Sequence, residues 1–265
     1  MAEARKRDDT GTLGKAMSIL ELVTASHAPL RFTDILALSG QPRGTLHRQL
    51  THLLAEGLLE LKPDHCYVPG LRLLKFASAA WASSDFRSVA APHLRRLHDL
   101  TGETVHLGLL RETEIVYLDK VESRQAVRMN SQIGNASPVY CTGVGKAVLS
   151  VLSQGELDAL LARIEFRRFT PETLADRGSL LADVDTVRER GHAFDREEHE
   201  AGIRCVAAPV HDRGCAIFAG VSVTGPAYRV GMDRLEAWAP LVRDVAAAIV
   251  AEIPARLGPQ RQAEP

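Results

Sequence analysis

The sequence predicts an α+β protein with an N-terminal winged helix-turn-helix domain, a linker helix and a C-terminal domain in which helices flank an antiparallel sheet. Apolar residues recur at helical spacing in three segments between Thr12 and Glu56, and two short strand-like runs around "KPDH" follow them. From Thr104 the pattern changes to alternation with β-forming residues. The length of 265 residues suits two domains better than one.

Composition places the chain among ordinary globular proteins, with 45% hydrophobic and 25% charged residues. No run of roughly 18 apolar residues occurs, and the charged start "MAEARKRDDTGTL" lacks the apolar part of a secretory signal, so we expect a cytoplasmic protein with no membrane partner. The four cysteines form no CxxC pair, which predicts reduced thiols, no metal site and no cofactor. The net charge of -1 does not favour nucleic acid binding, although an average can hide a local basic patch.

The N-terminal elements follow from apolar spacing and from residues that end helices. "FTDILALSG" predicts a second helix that Gly40 ends, and a third starts near Pro42 or Arg43 and runs to about Glu56, where Gly57 stops it. The expected inward positions of the first helix are Leu13, Ala16, Met17, Ile19, Leu20 and Val23; those of the second, which Thr33 caps, are Ile35, Leu36 and Leu38; those of the third are Leu46, Leu50, Leu53 and Leu54. Three helices and a hairpin are the order of a winged helix-turn-helix.

The third helix has the residue distribution of a DNA recognition helix. Once its leucines are buried, Thr45, His47 and Arg48 project from the remaining side, and Arg43 lies at the helix entry, where it can contact a phosphate. Arginine can bind phosphate or guanine through two hydrogen bonds at once. Lys62, at the hairpin tip, would touch the DNA backbone as a wing. The alternatives are a solvated helix face and an ordinary turn residue.

Two further helices are predicted between Gly70 and Thr101, in "LRLLKFASAAW" and "FRSVAAPHLRRLHDLTG". We expect side chains of the first to tie the linker to one domain, and side chains of the second to pack on the other domain or on a partner chain. These side chains are Leu71, Leu74 and Phe76 in the first helix and Leu94 and Leu97 in the second, whose helical spacing also includes Phe86, Val89 and Leu100.

The remainder of the chain predicts a sheet with helices packed against it. Strands are expected in "TVHLGLL", "EIVYLDKVES" and "AVRMNSQIG", then helices in "TGVGKAVLSVL", "GELDALLARI" and "LLADVDTVRERG", then strands in "HAFDREE", "RCVAAPVHD" and "AIFAGVSVTGP". The last helix is "DRLEAWAPLVRDVAAAIVAEI". The corresponding boundaries are a flexible tail over 1–11, the winged domain over 12–70, the linker helix over 71–84, the second domain over 85–253 and a flexible tail over 254–265.

"YCTGVGKA" resembles a phosphate-binding loop but lacks its first glycine and has Ala147 where Ser or Thr is needed, so we do not expect nucleotide binding. What remains is a helix start that Thr142 caps, with free N–H groups at Gly143, Val144 and Gly145 that suit a small carboxylate. The alternative is that the glycines only permit a tight turn.

Enzyme signatures are incomplete, and we expect no catalytic site. "HEAGI" begins like the zinc protease motif HExxH, but Ile203 replaces the second histidine. Cys141 or Cys205 could in principle pair with a histidine, but a buried inert cysteine is the commoner case. A metal held by Asp195, Cys205 and a histidine would follow no known ligand spacing.

The chain resembles the IclR family of bacterial transcriptional regulators along nearly its full length. The resemblance is carried in order by "KAMSILELV", "PRGTLHRQLTHLLAEGLLE", "YVPGLRLLKFA", "TGETVHLGLL", "VYLDKVES", "IGNASPVYCTGVGKAVLSVL", "RERGHAFDREEHEAGIRCVAAPVHD" and "AGVSVTGP". It departs at Gly44, where the family usually has serine. The resemblance implies a GAF-like C-terminal domain that binds a small carboxylate effector and alters operator binding allosterically.

The resemblance also implies site residues and partners. The family's pocket positions fall on Gly143, Val144, Asp195, Cys205, Ser222 and Thr224, with Met129 and Ser131 lining the same pocket. "VRMNSQIG" resembles the KdgR-like, sugar-acid-sensing branch, so the effector is expected to be a sugar acid such as a keto-deoxy-gluconate; an aromatic or short keto acid is the alternative. The expected assembly is a homodimer or tetramer on double-stranded DNA with a pseudo-palindromic operator, acting as a repressor. Two competing hypotheses are a small-molecule enzyme fused to a helix-turn-helix and a winged domain that contacts protein.

Overall fold

A computed structural model describes residues 11–26, 28–82, 84–126 and 131–257, and these form two compact units that divide between residues 83 and 84. The elements of the first unit are α1 (Gly11–Ala25), β1 (Leu30–Arg31), α2 (Phe32–Ser39), α3 (Arg43–Ala55), β2 (Leu59–Leu61), β3 (Cys66–Pro69) and α4 (Leu71–Ala82). The strands form an antiparallel sheet of order β1-β3-β2. The three helices and the hairpin therefore follow each other as the sequence predicts.

The first unit has a small apolar core between α1, α2 and α3. It contains Ile19, Leu20, Val23, Ile35, Leu46, Leu50, Leu53 and Leu59. Gly40 ends α2 in the left-handed region at φ +61°, which glycine adopts without strain. Three expected inward positions are wrong, because Leu13 and Leu38 are 71% and 64% exposed and Met17 also lies at the surface.

One strand of this unit was not predicted, and two predictions for it are wrong. β1 pairs with β3 and adds a third strand to the hairpin. The N-cap of α2 is the extended residue Arg31, and Thr33 lies within the helix; the Arg31 N–H donates to Asp34 Oδ2 at 2.8 Å. The expectation that Leu71, Leu74 and Phe76 tie the linker to a domain is also wrong: these side chains of α4 are 76%, 68% and 49% exposed.

The second unit consists of one sheet with helices on both faces. Its elements are α5 (Asp85–Thr101), β4 (Thr104–Arg111), β5 (Glu114–Val121), β6 (Ala136–Pro138), a 3₁₀ turn (Val139–Cys141), α6 (Gly143–Leu149), α7 (Gln154–Leu161), α8 (Arg177–Arg190), β7 (Ala193–Arg196), β8 (Ile203–Asp212), β9 (Ile217–Pro226) and α9 (Met232–Leu257). The six strands are antiparallel in the order β6-β5-β4-β9-β8-β7. α5 and α9 share one apolar core with the sheet, and α6, α7 and α8 share another.

The structure confirms one packing prediction for this unit and corrects others. Leu94 and Leu97 are buried in the unit's own core, as expected for side chains of α5 that pack on the second domain, while Leu100 is 54% exposed. The described part of "AVRMNSQIG" is a bend and a turn, residues 127–130 lie outside the described residues, and the strand in this region is β6 instead. The last helix continues to Leu257, past the tail boundary expected after residue 253.

Candidate functional site

The exposed side of α3 carries positive charge and no acid. Leu46, Leu50 and Leu53 turn into the core of the first unit, which leaves Arg43, His47 and Arg48 exposed on the rest of the helix surface. The sequence of the helix, RGTLHRQLTHLLA, contains neither Asp nor Glu. The pattern of buried leucines thus brings the predicted basic residues together on one accessible face, which suits a polyanion.

An aromatic ring of α2 lies beneath the start of this face. The Arg43 guanidinium carbon is 5.3 Å from the centre of the Phe32 ring, in the range of a cation–π contact. The His47 ring lies 6.4 Å from the same ring at an angle of 58°. Thr45, two residues after Arg43, is half-buried.

The predicted wing residue is partly neutralised within its own strand pair. Lys62 lies in the turn between β2 and β3, and its Nζ is 3.3 Å from Glu60 Oε2. The pKa of Glu60 is lowered mainly by the hydrogen bond from the Leu71 N–H and, to a smaller extent, by Lys62. This carboxylate therefore stays charged at neutral pH. Lys62 is 51% exposed and can reach a phosphate, but doing so would compete with this ion pair.

The second unit contains a cavity of about 240 Å³ between the sheet and the start of α6. Of the residues predicted to bind an effector, those that line it are Gly143, Val144, Asp195, Cys205, Ser222 and Thr224, together with Ser131. Met129, the remaining predicted residue, lies outside the described residues. Strand pairing explains the convergence, since Asp195 is opposite Cys205 and Cys205 is opposite Thr224.

A network of hydroxyl groups surrounds a buried histidine that sequence reasoning missed. The His106 Nε2 lies 2.7 Å from Ser131 Oγ, and its Nδ1 lies 3.3 Å from Thr224 Oγ1. Burial, with help from the charge of Lys120, lowers the pKa of His106 to about 3, so the ring is neutral and each nitrogen can serve one hydrogen bond. His106 could have been assigned to the cavity only from its position opposite Ser222 in the pairing of β4 with β9. That pairing cannot be known without the order of the strands in the sheet.

Tyr117, Asn135 and His199 also line the cavity and were missed. The Tyr117 ring packs 5.0 Å from that of His106, and burial raises the pKa of Tyr117 to about 12, which keeps its hydroxyl protonated. Hydroxyl, amide and neutral imidazole groups thus make up much of the wall, as suits a ligand that carries several hydrogen-bonding groups.

The start of α6 packs closely against the sheet. A Cβ on Gly143 would lie 2.5 Å from Cys205 Sγ, so only glycine fits at this position. Thr142 caps the helix as predicted, accepting from the Gly145 N–H at 3.1 Å. The expectation of free N–H groups at Gly143 and Gly145 is therefore wrong, because the first reaches the Cys205 sulfur and the second is used by the cap.

Asp195 is the buried acidic group of the cavity, whereas Glu200, which also lines it, is exposed. Asp195 is 6% exposed, and its Oδ1 accepts from the Glu198 N–H at 2.8 Å. Burial and then the nearby charge of Glu198 raise the pKa of Asp195 to about 7. This carboxyl group therefore changes its charge near neutral pH.

The lysine of "GVGKA" has a structural role that the sequence did not reveal. Lys146 is fully buried, and its Nζ lies 2.6 Å from Glu198 Oε1 and 2.9 Å from Asp183 Oδ2. This triad ties α6 to α8 and to the segment after β7. Lys146 does not line the cavity, and within the described part of the chain no Lys or Arg does.

Burial makes two cysteines of this unit poor nucleophiles, and the described residues contain no metal-binding cluster. Burial raises the pKa of both Cys141 and Cys205, so the reactive thiolate is disfavoured. Residues 11–26, 28–82, 84–126 and 131–257 contain no group of three or more His, Cys, Asp or Glu side chains that could hold a metal ion. Among the helices of these same ranges, none is both long enough and apolar enough to span a membrane.

Both halves of the chain match known families. Residues 12–63 match the IclR helix-turn-helix domain, and residues 78–251 match the family described as bacterial transcriptional regulator IclR, C-terminal. The crystal structure of Thermotoga maritima IclR superposes with a TM-score of 0.71 at 31% identity, covering 91% of this chain and 98% of that one.

Several characterised regulators are similar over most of their length. XynR of Escherichia coli K12 is 37% identical over 82% of this chain and 86% of its own, and KdgR of the same strain is 31% identical over 94% and 95%. The transcriptional repressor AllR of Salmonella typhimurium is 33% identical over 92% of this chain and 90% of its own. These identities do not single out KdgR.

Proposed function

This chain belongs to the IclR family of bacterial transcriptional regulators, and on this basis we propose which surface binds the operator, what kind of ligand fills the cavity and how the chains assemble. The family consists of transcriptional regulators and not of enzymes. The enzyme and protein-contact hypotheses are thereby set aside.

The operator binds to the exposed face of α3, through Arg43, Thr45, His47 and Arg48. The observation that carries this proposal is the separation of charge and leucine on one helix: the buried side holds α3 on the unit's core, and the exposed side has basic groups with no acid among them. A helix presented in this way can enter the major groove while arginines bind phosphates or guanine edges. Lys62 adds a weaker contact to the DNA backbone.

The cavity of the second unit binds a small acid that carries hydroxyl groups. Support comes from its wall, where Ser131, Ser222 and Thr224 offer hydroxyls and His106 a neutral imidazole. A sugar acid uses more of these groups than an unsubstituted aromatic acid does, which favours it over the aromatic or short keto acids.

The carboxylate of the ligand lies at the start of α6, next to Val144, and Asp195 faces it in the protonated state. Because no Lys or Arg lines the described part of the cavity, an anion enters its buried end only where hydroxyls and the Val144 N–H can stabilise it and where Asp195 carries no charge. Binding of the acid therefore takes up a proton near neutral pH.

The protein acts as a homodimer or a dimer of dimers and represses its target gene. The exposed apolar side chains of α4, Leu71, Leu74 and Phe76, form a surface that a second copy can cover. Two copies would present two α3 helices to half-sites one helical turn apart, as in a pseudo-palindromic operator. We infer repression from the similarity to AllR, which is named a transcriptional repressor.

The test combines selection and ligand screening on the full-length protein. Duplexes are selected from a random library, and their affinity is measured by fluorescence anisotropy at several salt concentrations. Separately, sugar acids, keto acids and aromatic acids are screened for a rise in melting temperature at pH 6 and pH 8. We expect a selected duplex with two related half-sites and a stronger response to a hydroxylated acid at pH 6. No selected duplex, or no response to any acid, would contradict the corresponding half of the proposal.

A further inference from the structure

A shallow cleft opens beside the recognition helix, and its walls are Phe32 of α2 and Arg43, Gly44 and His47 of α3. The floor is mainly apolar because the Phe32 ring forms it, half-buried, and because Gly44 contributes no side chain. An ideal Cβ on Gly44 would have no heavy atom within 4 Å, so the cleft is open at this point. Within the described residues, packing does not require glycine here.

The chemistry of the rim indicates what the cleft meets. Arg43 and His47 are exposed on the face of α3 that carries basic groups and no acid, and the Arg43 guanidinium lies over the Phe32 ring at 5.3 Å. The nearest acid at the start of α2, Asp34, accepts from the Arg31 N–H at 2.8 Å and so has a local partner. Charge complementarity therefore brings a polyanion such as DNA to this rim. The apolar floor of the cleft then faces the base edges that lie between the phosphate backbones.

We infer that this cleft receives the C5-methyl group of a thymine in the operator, next to the base or phosphate that Arg43 contacts. In the major groove the thymine methyl is the one apolar group that base edges present, and apolar side-chain surface distinguishes it from cytosine. The Phe32 ring offers that surface, and the missing side chain of Gly44 leaves the room that a methyl group needs. The inference rests on the proposed DNA binding by α3 and names a base that this surface prefers.

The test removes the methyl group without touching the protein. In a duplex selected by the full-length protein, each thymine is replaced in turn by deoxyuridine, and affinity is measured by fluorescence anisotropy. Losing one buried methyl contact should weaken binding about fourfold at one thymine in each half-site. The other thymines should change affinity less than about twofold, because they do not meet apolar surface.

A matched pair of glycine variants then assigns the effect to the cleft. Gly44 and Gly155 both occupy the second position of an exposed helix start, in α3 and α7, and neither has an atom within 4 Å of an ideal Cβ. Gly44→Ala and Gly155→Ala should therefore both keep or raise the melting temperature. We expect Gly44→Ala to bind the thymine duplex more weakly and to lose the preference for thymine over uracil, while Gly155→Ala keeps both.

Each other outcome overturns the inference in an identifiable way. If no deoxyuridine substitution weakens binding, no methyl contact exists. If Gly44→Ala weakens the thymine and uracil duplexes equally, the glycine serves close approach of the phosphate backbone instead. In both cases DNA binding by α3 would stand, whereas the absence of any selected duplex would refute the proposed function together with this inference. Phe32→Leu, which keeps an apolar side chain in the core, should reduce the thymine preference in the same direction as Gly44→Ala.

Discussion

Replacing Asp195 by asparagine should make the second unit more stable, relative to the wild type, as pH rises. In the folded state burial and the charge of Glu198 raise the pKa of Asp195 from 3.8 to about 7. At 1.36 kcal/mol per pH unit, this rise corresponds to about 4 kcal/mol by which ionisation of the carboxyl group disfavours folding. The asparagine Oδ1 can still accept from the Glu198 N–H, so the substitution removes the ionisation and keeps that hydrogen bond.

The sign follows from proton binding. Between about pH 4 and pH 7 the folded protein retains a proton on Asp195 that the unfolded chain has lost, so the free energy of unfolding of the wild type decreases across this window. Well above the folded-state pKa both states are ionised and the contribution is constant. The stability difference between Asp195→Asn and the wild type should therefore increase by about 2 kcal/mol from pH 5 to pH 7 and then level off.

Urea unfolding at half-unit pH steps measures this difference, with the fluorescence of Trp238, which is buried in the second unit, as the probe. A Trp81→Phe background removes the tryptophan of the first unit from the signal. Asp99→Asn, on the exposed side of α5, controls for the loss of one negative charge. A difference between Asp195→Asn and the wild type that stays constant from pH 5 to pH 7 would refute the electrostatic description of the cavity.

Three further predictions concern the operator surface, the start of α6 and the buried triad. Arg48→Ala should weaken binding of the selected duplex by about 1 to 3 kcal/mol in anisotropy titrations and reduce its salt dependence, whereas Arg95→Ala on α5 should do neither. Gly143→Ala should cost about 1 to 3 kcal/mol of stability and abolish the thermal response to the acid, and adding Cys205→Ala should recover most of the stability, because the clash at 2.5 Å is with its sulfur. Lys146→Met should lower the free energy of unfolding by about 3 to 5 kcal/mol, since the buried carboxylate of Glu198 loses its cation and Asp183 keeps only the longer contact to Arg196; an unchanged urea midpoint would contradict this.

The sequence predicted those elements whose pattern is strong and local. The leucine spacing of α3 identified both the buried side and the exposed basic side, and Gly40 ends α2 in the conformation that its position suggested. The errors arose where burial depends on tertiary packing. Leu38 and Leu74 lie at helical spacing, but no described element covers them. Strand β1 is too short to give an alternating pattern and exists because β3 offers its edge.

For the cavity, the resemblance to a family supplied what the sequence pattern could not. Asp195 and Thr224 are far apart in the chain, and only the sheet order brings them to one wall. His106 was missed for the same reason. The pattern "YCTGVGKA" gave no sign of a partner for Lys146, because its pairing with Glu198 depends on the packing of α6 over β7.

Thermodynamic linkage between operator and acid decides whether the two units work together. The affinity of the full-length protein for the selected duplex is measured with and without a saturating acid from the screen, and the affinity for the acid is measured with and without the duplex. If α3 and the cavity bias one equilibrium, both affinities change by the same factor, typically between about fivefold and 150-fold. An acid that binds in the cavity and leaves the affinity for DNA unchanged would show that the two sites are not coupled.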